Sequence, residues 1–338
     1  LLRLFYRLTE QHRHAMRVLS CIVALLALTF VDASAQNAPP SYPTKFIRFI
    51  VPYAPGGSSD VLARTISQKL NDALGQTLVI DNRPGAGSMI GTDIAAKSPA
   101  DGYTIILSDM PHTINPSIYA KVPYDPIRDF APVTLIGVSP MFLFAHPSLQ
   151  ATNIKEFIAL AKTQPGKIAI ASGGTGATTH LMAELLQTHA GIKLNHVPYK
   201  GAGPALSDVV AGQVPATFTS MATAAPFAKS GRLRILGVTT SKRMAAFPDV
   251  PTFEESGVSG MVVEHWWGVM APAGMPKAII DKLRAAIVNA VNSPEVRERF
   301  TALSVEPRTT TPEQFRALLE SDVKRWAKVV KDAGIHIE

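Results

Sequence analysis

From about residue 45 the chain switches regularly between strand-like and helix-like patterns, and that alternation restricts its fold more than any other feature. KFIRFIVPY (45–53) is an apolar run of strand length. SDVLARTISQKLNDALG after it places Leu62, Ile66, Leu70 and Leu74 at helical spacing before a stop at Gly75. QTLVIDN reads as a strand, SMIGTDIAAKS as a short helix and YTIILSD (103–109) as a third strand. This order predicts a parallel, doubly wound α/β sheet. The same alternation runs through NIKEFIALAKTQ, KIAIASGG and ATTHLMAELLQTHAG, and on to LRILGVTT. Two β-rich runs, 131–147 and 262–272, exceed ordinary strand length and are expected to cross between lobes. Helical sequence follows Pro276, with a capping box at Thr311-Pro312-Glu313-Gln314 and an end at Gly334. The predicted organisation is two α/β lobes, one from 42–140 and 266–338 and the other from 141–265, joined by two crossings around a hinged cleft. A chain of 338 residues is long enough to give each lobe a core.

Ahead of this pattern, Met16-Arg17 leads into VLSCIVALLALTFV and then Ala33-Ser34-Ala35. A basic start, a short apolar stretch and a small-x-small site have the layout of a secretory signal peptide. Residues 1–35 are therefore read as a leader cut near Ala35, with 1–15 an over-extended start and the mature protein in the periplasm. An uncleaved anchor is the other reading of that stretch. Cys21 is the only cysteine, so the mature chain has no disulfide framework and no thiolate site. The net charge of +7 comes from scattered basic residues, which favours small anions over nucleic acid as partners.

The chain has no Walker loop, no H-E-x-x-H, no C-x-x-C and no G-x-S-x-G, and neither metal nor cofactor is expected. Gly174-Thr175-Gly176 begins like a dinucleotide fingerprint, but position 179 is Thr where the third glycine belongs. His112 follows the strand YTIILSD and is the histidine placed best to reach a pocket. Trp266 and Trp267 are read first as core residues.

Two loops share one design. VPYAPGGSSD carries Gly56, Gly57, Ser58 and Ser59 between a strand and a helix. ASGGTGATTH carries Ser172, Gly173, Gly174, Thr175, Gly176 and Thr178 in the same position of the other lobe. The first turn of a helix has amide donors without internal partners, and the helix dipole adds partial positive charge. Glycines let backbone approach a ligand, hydroxyls add donors, and the combination favours an anion. Neither loop holds Arg or Lys, so a carboxylate suits it better than a phosphate, with Lys200 a possible neighbour. A bulky side chain at Gly57 or Gly174 is expected to block that approach.

YPTKFIRFIVPYAPGGSSDVLAR, IDNRPGAGSMIGTDIAAKSPADGYTIIL, NPSIYAKVPYDPIRDFAPVTLI, VPYKGAGPALSDVVAGQV and FPDVPTFEESG, taken with the second loop, resemble the substrate-binding proteins of tripartite tricarboxylate transporters, also called Bug receptors. The likeness runs from about Tyr42 to the C-terminus. It implies a periplasmic binding protein of Venus-flytrap fold, type II-like, that holds an organic carboxylate or amino acid and delivers it to membrane permease subunits. It also implies that the ligand carboxylate meets both strand-to-helix loops, partly through water. Carried onto this chain, those are Ala54, Pro55, Gly56, Gly57, Ser58 and Asp60, then Ser172, Gly174, Thr175, Gly176, Thr178 and His180, with Tyr199, Lys200 and Gly201 nearby. The segment SDMPHTINPSIY is expected to tune selectivity, through His112 above all. A monomer is expected. Two other readings stay open: a sensor subunit for a signalling partner, and an exported hydrolase or transferase using Ser58 or Ser172 with His180 or His112. The latter also needs an orienting acid, and Asp60, two positions after Ser58, is more simply read as bracing the helix start.

Overall fold

The computed structural model describes residues 42–332. The leader, with Cys21 and the cut near Ala35, and the stop at Gly334 lie outside the described residues.

In chain order, β1 (Ile47–Val51), α1 (Ser58–Leu74), β2 (Leu78–Asn82), α2 (Met89–Ala96), β3 (Thr104–Asp109), α3 (Pro111–Ile118) and β4 (Phe130–Pro140) form the first run. The second comprises β5 (Phe142–Ala145), α4 (Ile154–Thr163), β6 (Ala169–Ser172), α5 (Thr178–Ala190), β7 (Asn195–Pro198), α6 (Ala202–Val210), β8 (Ala216–Thr219), α7 (Met221–Lys229) and β9 (Arg234–Val238). The last comprises β10 (Glu264–Pro272), α8 (Lys277–Asn292), α9 (Pro294–Ala302), β11 (Glu306–Pro307) and α10 (Pro312–Asp332). One sheet has the order β11-β4-β10-β3-β1-β2, and the other β7-β6-β8-β5-β9. Among the described residues no helix is long and apolar enough to cross a membrane.

Local signals set several boundaries. The buried face of α1 carries Leu62, Ile66, Leu70 and Leu74, and the helix ends where Gly75 turns left-handed at φ 66°. Thr311 and Gln314 exchange backbone-to-side-chain bonds of 2.9 and 3.1 Å at the start of α10, as the capping box predicts. That helix packs on β4 and α3. Trp266 and Trp267 are core residues, and the Trp266 indole donates to Asp322 at 2.7 Å.

Two expectations change. The sheets are mixed rather than purely parallel: β1 pairs in parallel with β2 and β3, whereas β10 runs antiparallel to both β3 and β4. The reason is connectivity, since β4 leaves the first sheet and β10 returns to it from the opposite direction. Nor do the long apolar runs span between sheets as strands. The 131–147 run breaks at Met141, with β4 in one sheet and β5 in the other. All of β10 lies in the first sheet, and the return is made by the irregular segment before it. Buried Thr239 ties the two passages together. Its amide donates to Met141 O at 3.0 Å, its hydroxyl accepts from the Met141 amide at 2.9 Å, and the same hydroxyl donates to Val263 O at 2.8 Å.

Candidate ligand-binding site

Four helix starts share one cavity. Gly57, Ser58 and Ser59 open α1, Ala177, Thr178 and Thr179 open α5, Ala202 opens α6, and Ser220 precedes α7. Together with Tyr53, Asp109, Met141, Gly173, Thr219 and His265 they surround about 420 Å³ of empty space, part of it open to solvent. At none of the four is the first turn capped by a side chain. Amide donors and the positive ends of four dipoles are thus directed to one place, which suits an anionic group.

Side chains on the cavity wall add to this. Thr178 Oγ1, Ser220 Oγ and His265 Nδ1 are buried and have no partner among the described residues. A buried polar atom left unpaired costs about 1–3 kcal/mol, so three around one cavity mark a place where a polar ligand would repay folding. Among the described residues no Lys or Arg lines the cavity.

The opposite chemistry stands at the end of β3. Asp109 Oδ1 accepts from the Tyr53 hydroxyl at 2.9 Å and Oδ2 accepts from Ser59 at 3.3 Å, with His265 Nε2 3.6 Å from Oδ2. Burial, then the nearby Asp109 charge, pushes the Tyr53 phenol well above its ordinary range, so it remains a donor. The antiparallel register of β10 on β3 sets Trp267 opposite Asp109, and His265 follows two residues along the same strand face.

A family model described as the tripartite tricarboxylate transporter family receptor matches residues 62–335. The chain belongs to this receptor family. BugT of Bordetella pertussis is 40% identical to the receptor over 314 residues, 91% of this chain and 96% of BugT. The solved periplasmic binding protein BugD superposes with a TM-score of 0.85 at 34% identity, covering 88% of this chain and 100% of BugD. MatC from Rhodopseudomonas palustris, solved with bound malate, has a TM-score of 0.83 at 31% identity, covering 86% of this chain and 100% of MatC. The α/β fold is therefore that of a periplasmic binding protein, and the family is one of solute-binding receptors.

Within this receptor, Gly57, Ser58 and Thr178 line the cavity, as their loops suggest. Other nominated residues build the loops. The Gly56 amide and Asn82 bond Asp60, and Arg64 pairs with it. Burial pushes the Asp60 carboxyl up, but these partners more than offset it and hold the carboxyl below its usual range. Asp60 thus braces the helix start. The Ala54 amide donates to Lys200 O at 3.1 Å, Pro55 and Gly56 lie against Gly203, and Gly201 against Ala54. The Lys200 side chain is exposed, and Tyr199 donates to Asp208. Thr175 O accepts from Tyr119 at 2.7 Å, and Gly176 packs on the same ring.

The structure corrects the reading of His112. Pro111 starts α3 directly after β3, which turns the imidazole into the core. It bonds Pro126 O at 2.7 Å and lies between the Tyr124 and Phe130 rings, away from the cavity. Ser172 is fully buried, with its hydroxyl 2.5 Å from His196 Nε2. His196 in turn stacks at 3.8 Å on His180, which accepts from the Gly176 amide. Sequence reasoning missed Tyr53, Asp109, Ser220 and His265. Tyr53 beside the first loop, Asp109 at the end of β3 and Ser220 between a strand and a helix each had a local signal, whereas His265 had none.

Proposed function

We propose that this receptor captures a small organic carboxylate in the cavity and passes it to the permease subunits of a tripartite tricarboxylate-type transporter, in the periplasm, after loss of its leader near Ala35. The observation that carries this is the convergence of four uncapped helix starts on one cavity with three unpartnered polar atoms on its wall. A carboxylate accepts from several such donors and needs no fixed cation. The malate held by MatC is a ligand of that class. The fully buried Ser172, bonded to His196 and outside the cavity wall, favours capture over catalysis. Each sheet with its helices acts as a lobe, and the lobes close about the passages tied by Thr239.

Isothermal titration against a panel of organic acids tests this reading, with phosphorylated compounds as the contrast. Binding of the phosphorylated compounds alone would overturn it. Thr178→Val sharpens the test, because valine keeps the shape and removes the unpaired hydroxyl. Affinity for the acid found is expected to fall roughly tenfold while the ligand-free thermal midpoint holds or rises. Unchanged affinity would remove Thr178 from the site. Tyr119→Phe removes the bond to Thr175 O that joins the two lobes in the closed form. A neutral hydrogen bond contributes about 0.5–1.5 kcal/mol net, so affinity should weaken by roughly twofold to tenfold, mainly through faster release in stopped-flow traces.

A further inference from the structure

Resting on that reading, we infer that Asp109 sets the ligand class: the cavity takes an acid bearing a protonated nitrogen, its carboxylate on the helix starts and its nitrogen on Asp109, in preference to a dicarboxylate of the same length. Asp109 lines the cavity and is buried. A carboxylate offers about four lone-pair positions. Two are taken, by Tyr53 and Ser59, and both of those neighbours are neutral donors. Among the described residues His265 is the only lining residue able to carry positive charge; its Nε2 stands 3.6 Å from Asp109, beyond hydrogen-bond length, and forms an ion pair with it only when the ring is protonated. The cavity therefore has a donor-rich region at the helix starts and a carboxylate with spare acceptor capacity at the end of β3. A dicarboxylate would bring two negative charges to a site that already holds one and has no lysine or arginine to offset them. A zwitterion matches both ends, because an ammonium supplies the donors Asp109 lacks and the charge it needs.

The experiment is isothermal titration with matched pairs in which one carboxylate is exchanged for an ammonium: malonate against glycine, succinate against β-alanine, glutarate against 4-aminobutyrate. α-Amino acids with aliphatic, acidic and aromatic side chains are added, each beside the monocarboxylate that lacks the amine. On the unmodified protein the nitrogen-bearing member of the best pair is expected to bind at least tenfold tighter. Asp109→Asn, which keeps the shape and the acceptor for Tyr53, is expected to erase that preference and to strengthen dicarboxylate binding. Dicarboxylates or plain monocarboxylates binding as well as the amino compounds would overturn the inference and leave the receptor reading intact. A preference that survives in Asp109→Asn would overturn the role of Asp109. No binding by any acid in either series would overturn the receptor reading itself, and this inference with it.

Discussion

Gly203→Ala is expected to weaken ligand binding by at least about a hundredfold, equivalent to about 2.7 kcal/mol, without lowering the thermal midpoint. Gly203 lies in the first turn of α6, where alanine is the better helix former, so its own helix gains from the change. The cost arises where α6 meets the loop before α1. A Cβ there would sit 2.6 Å from Pro55 O, 2.9 Å from Gly56 C and 3.1 Å from Gly57 N. All three are backbone atoms, so no side chain can swing aside, and the loop before α1 must separate from α6. Separation also parts the Ala54 amide from Lys200 O and moves the α1 start away from the other helix starts. In the lobe movement proposed above, opening parts these two segments, so the ligand-free variant folds unhindered. Titration calorimetry with thermal melts of the ligand-free protein checks both halves, and affinity within twofold of the unmodified protein would refute the closed arrangement.

The positions that the sequence nominates for the same experiment are less informative. At Gly57 a Cβ would meet Ala202 Cβ at 3.8 Å and the Gly203 amide at 3.7 Å, ordinary contact distances. At Gly174, with φ at +125°, any side chain strains the loop itself and strikes Tyr199 O at 2.8 Å, so lost binding would mix with lost structure. Glycine-rich turns are visible in a sequence, but which of their faces meets a second segment is not.

That distinction runs through the whole molecule. Features written in a few neighbouring residues were legible: the α1 face and its Gly75 stop, the capping box of α10, the alternation of strands and helices, and the two loops that open α1 and α5. The starts of α6 and α7 carry the same chemistry with weaker signatures, and only the arrangement of strands shows that all four meet. Asp109 and His265 are far apart in sequence and become neighbours through the antiparallel register of β10 on β3. No local pattern encodes a register between distant strands, so the meeting of Asp109 with His265 was out of reach. His112 misled for the converse reason. It follows a strand end, where ligands bind in α/β sheets, but Pro111 starts a helix at once and the ring turns inward.

The buried His112 should make the receptor lose stability in mild acid. Its ring is 1% exposed, stacked 5.7 Å from Tyr124 and edge-on at 4.8 Å to Phe130. Nε2 donates to Pro126 O, while Nδ1 has no partner among the described residues. Burial pushes its pKa from 6.5 down to about 4, against the opposing pull of Pro126 O and of the Asp109 and Asp125 charges. Between those two values the unfolded chain binds a proton that the folded chain refuses. Stability from this group is therefore complete above about pH 6.5 and drains away as pH falls toward 4. The loss by pH 4.5 is on the order of 2–3 kcal/mol. His196, lowered to about 4 by burial and then by His180, adds in the same direction but less, being partly exposed. Urea unfolding at pH 7.5 and 4.5 measures the difference, and His112→Phe separates it from the carboxylates that titrate nearby. The variant is expected to be less stable at pH 7.5, through the lost bond to Pro126 O, and to decline less on acidification. An equal decline in both proteins would show that the proton enters elsewhere.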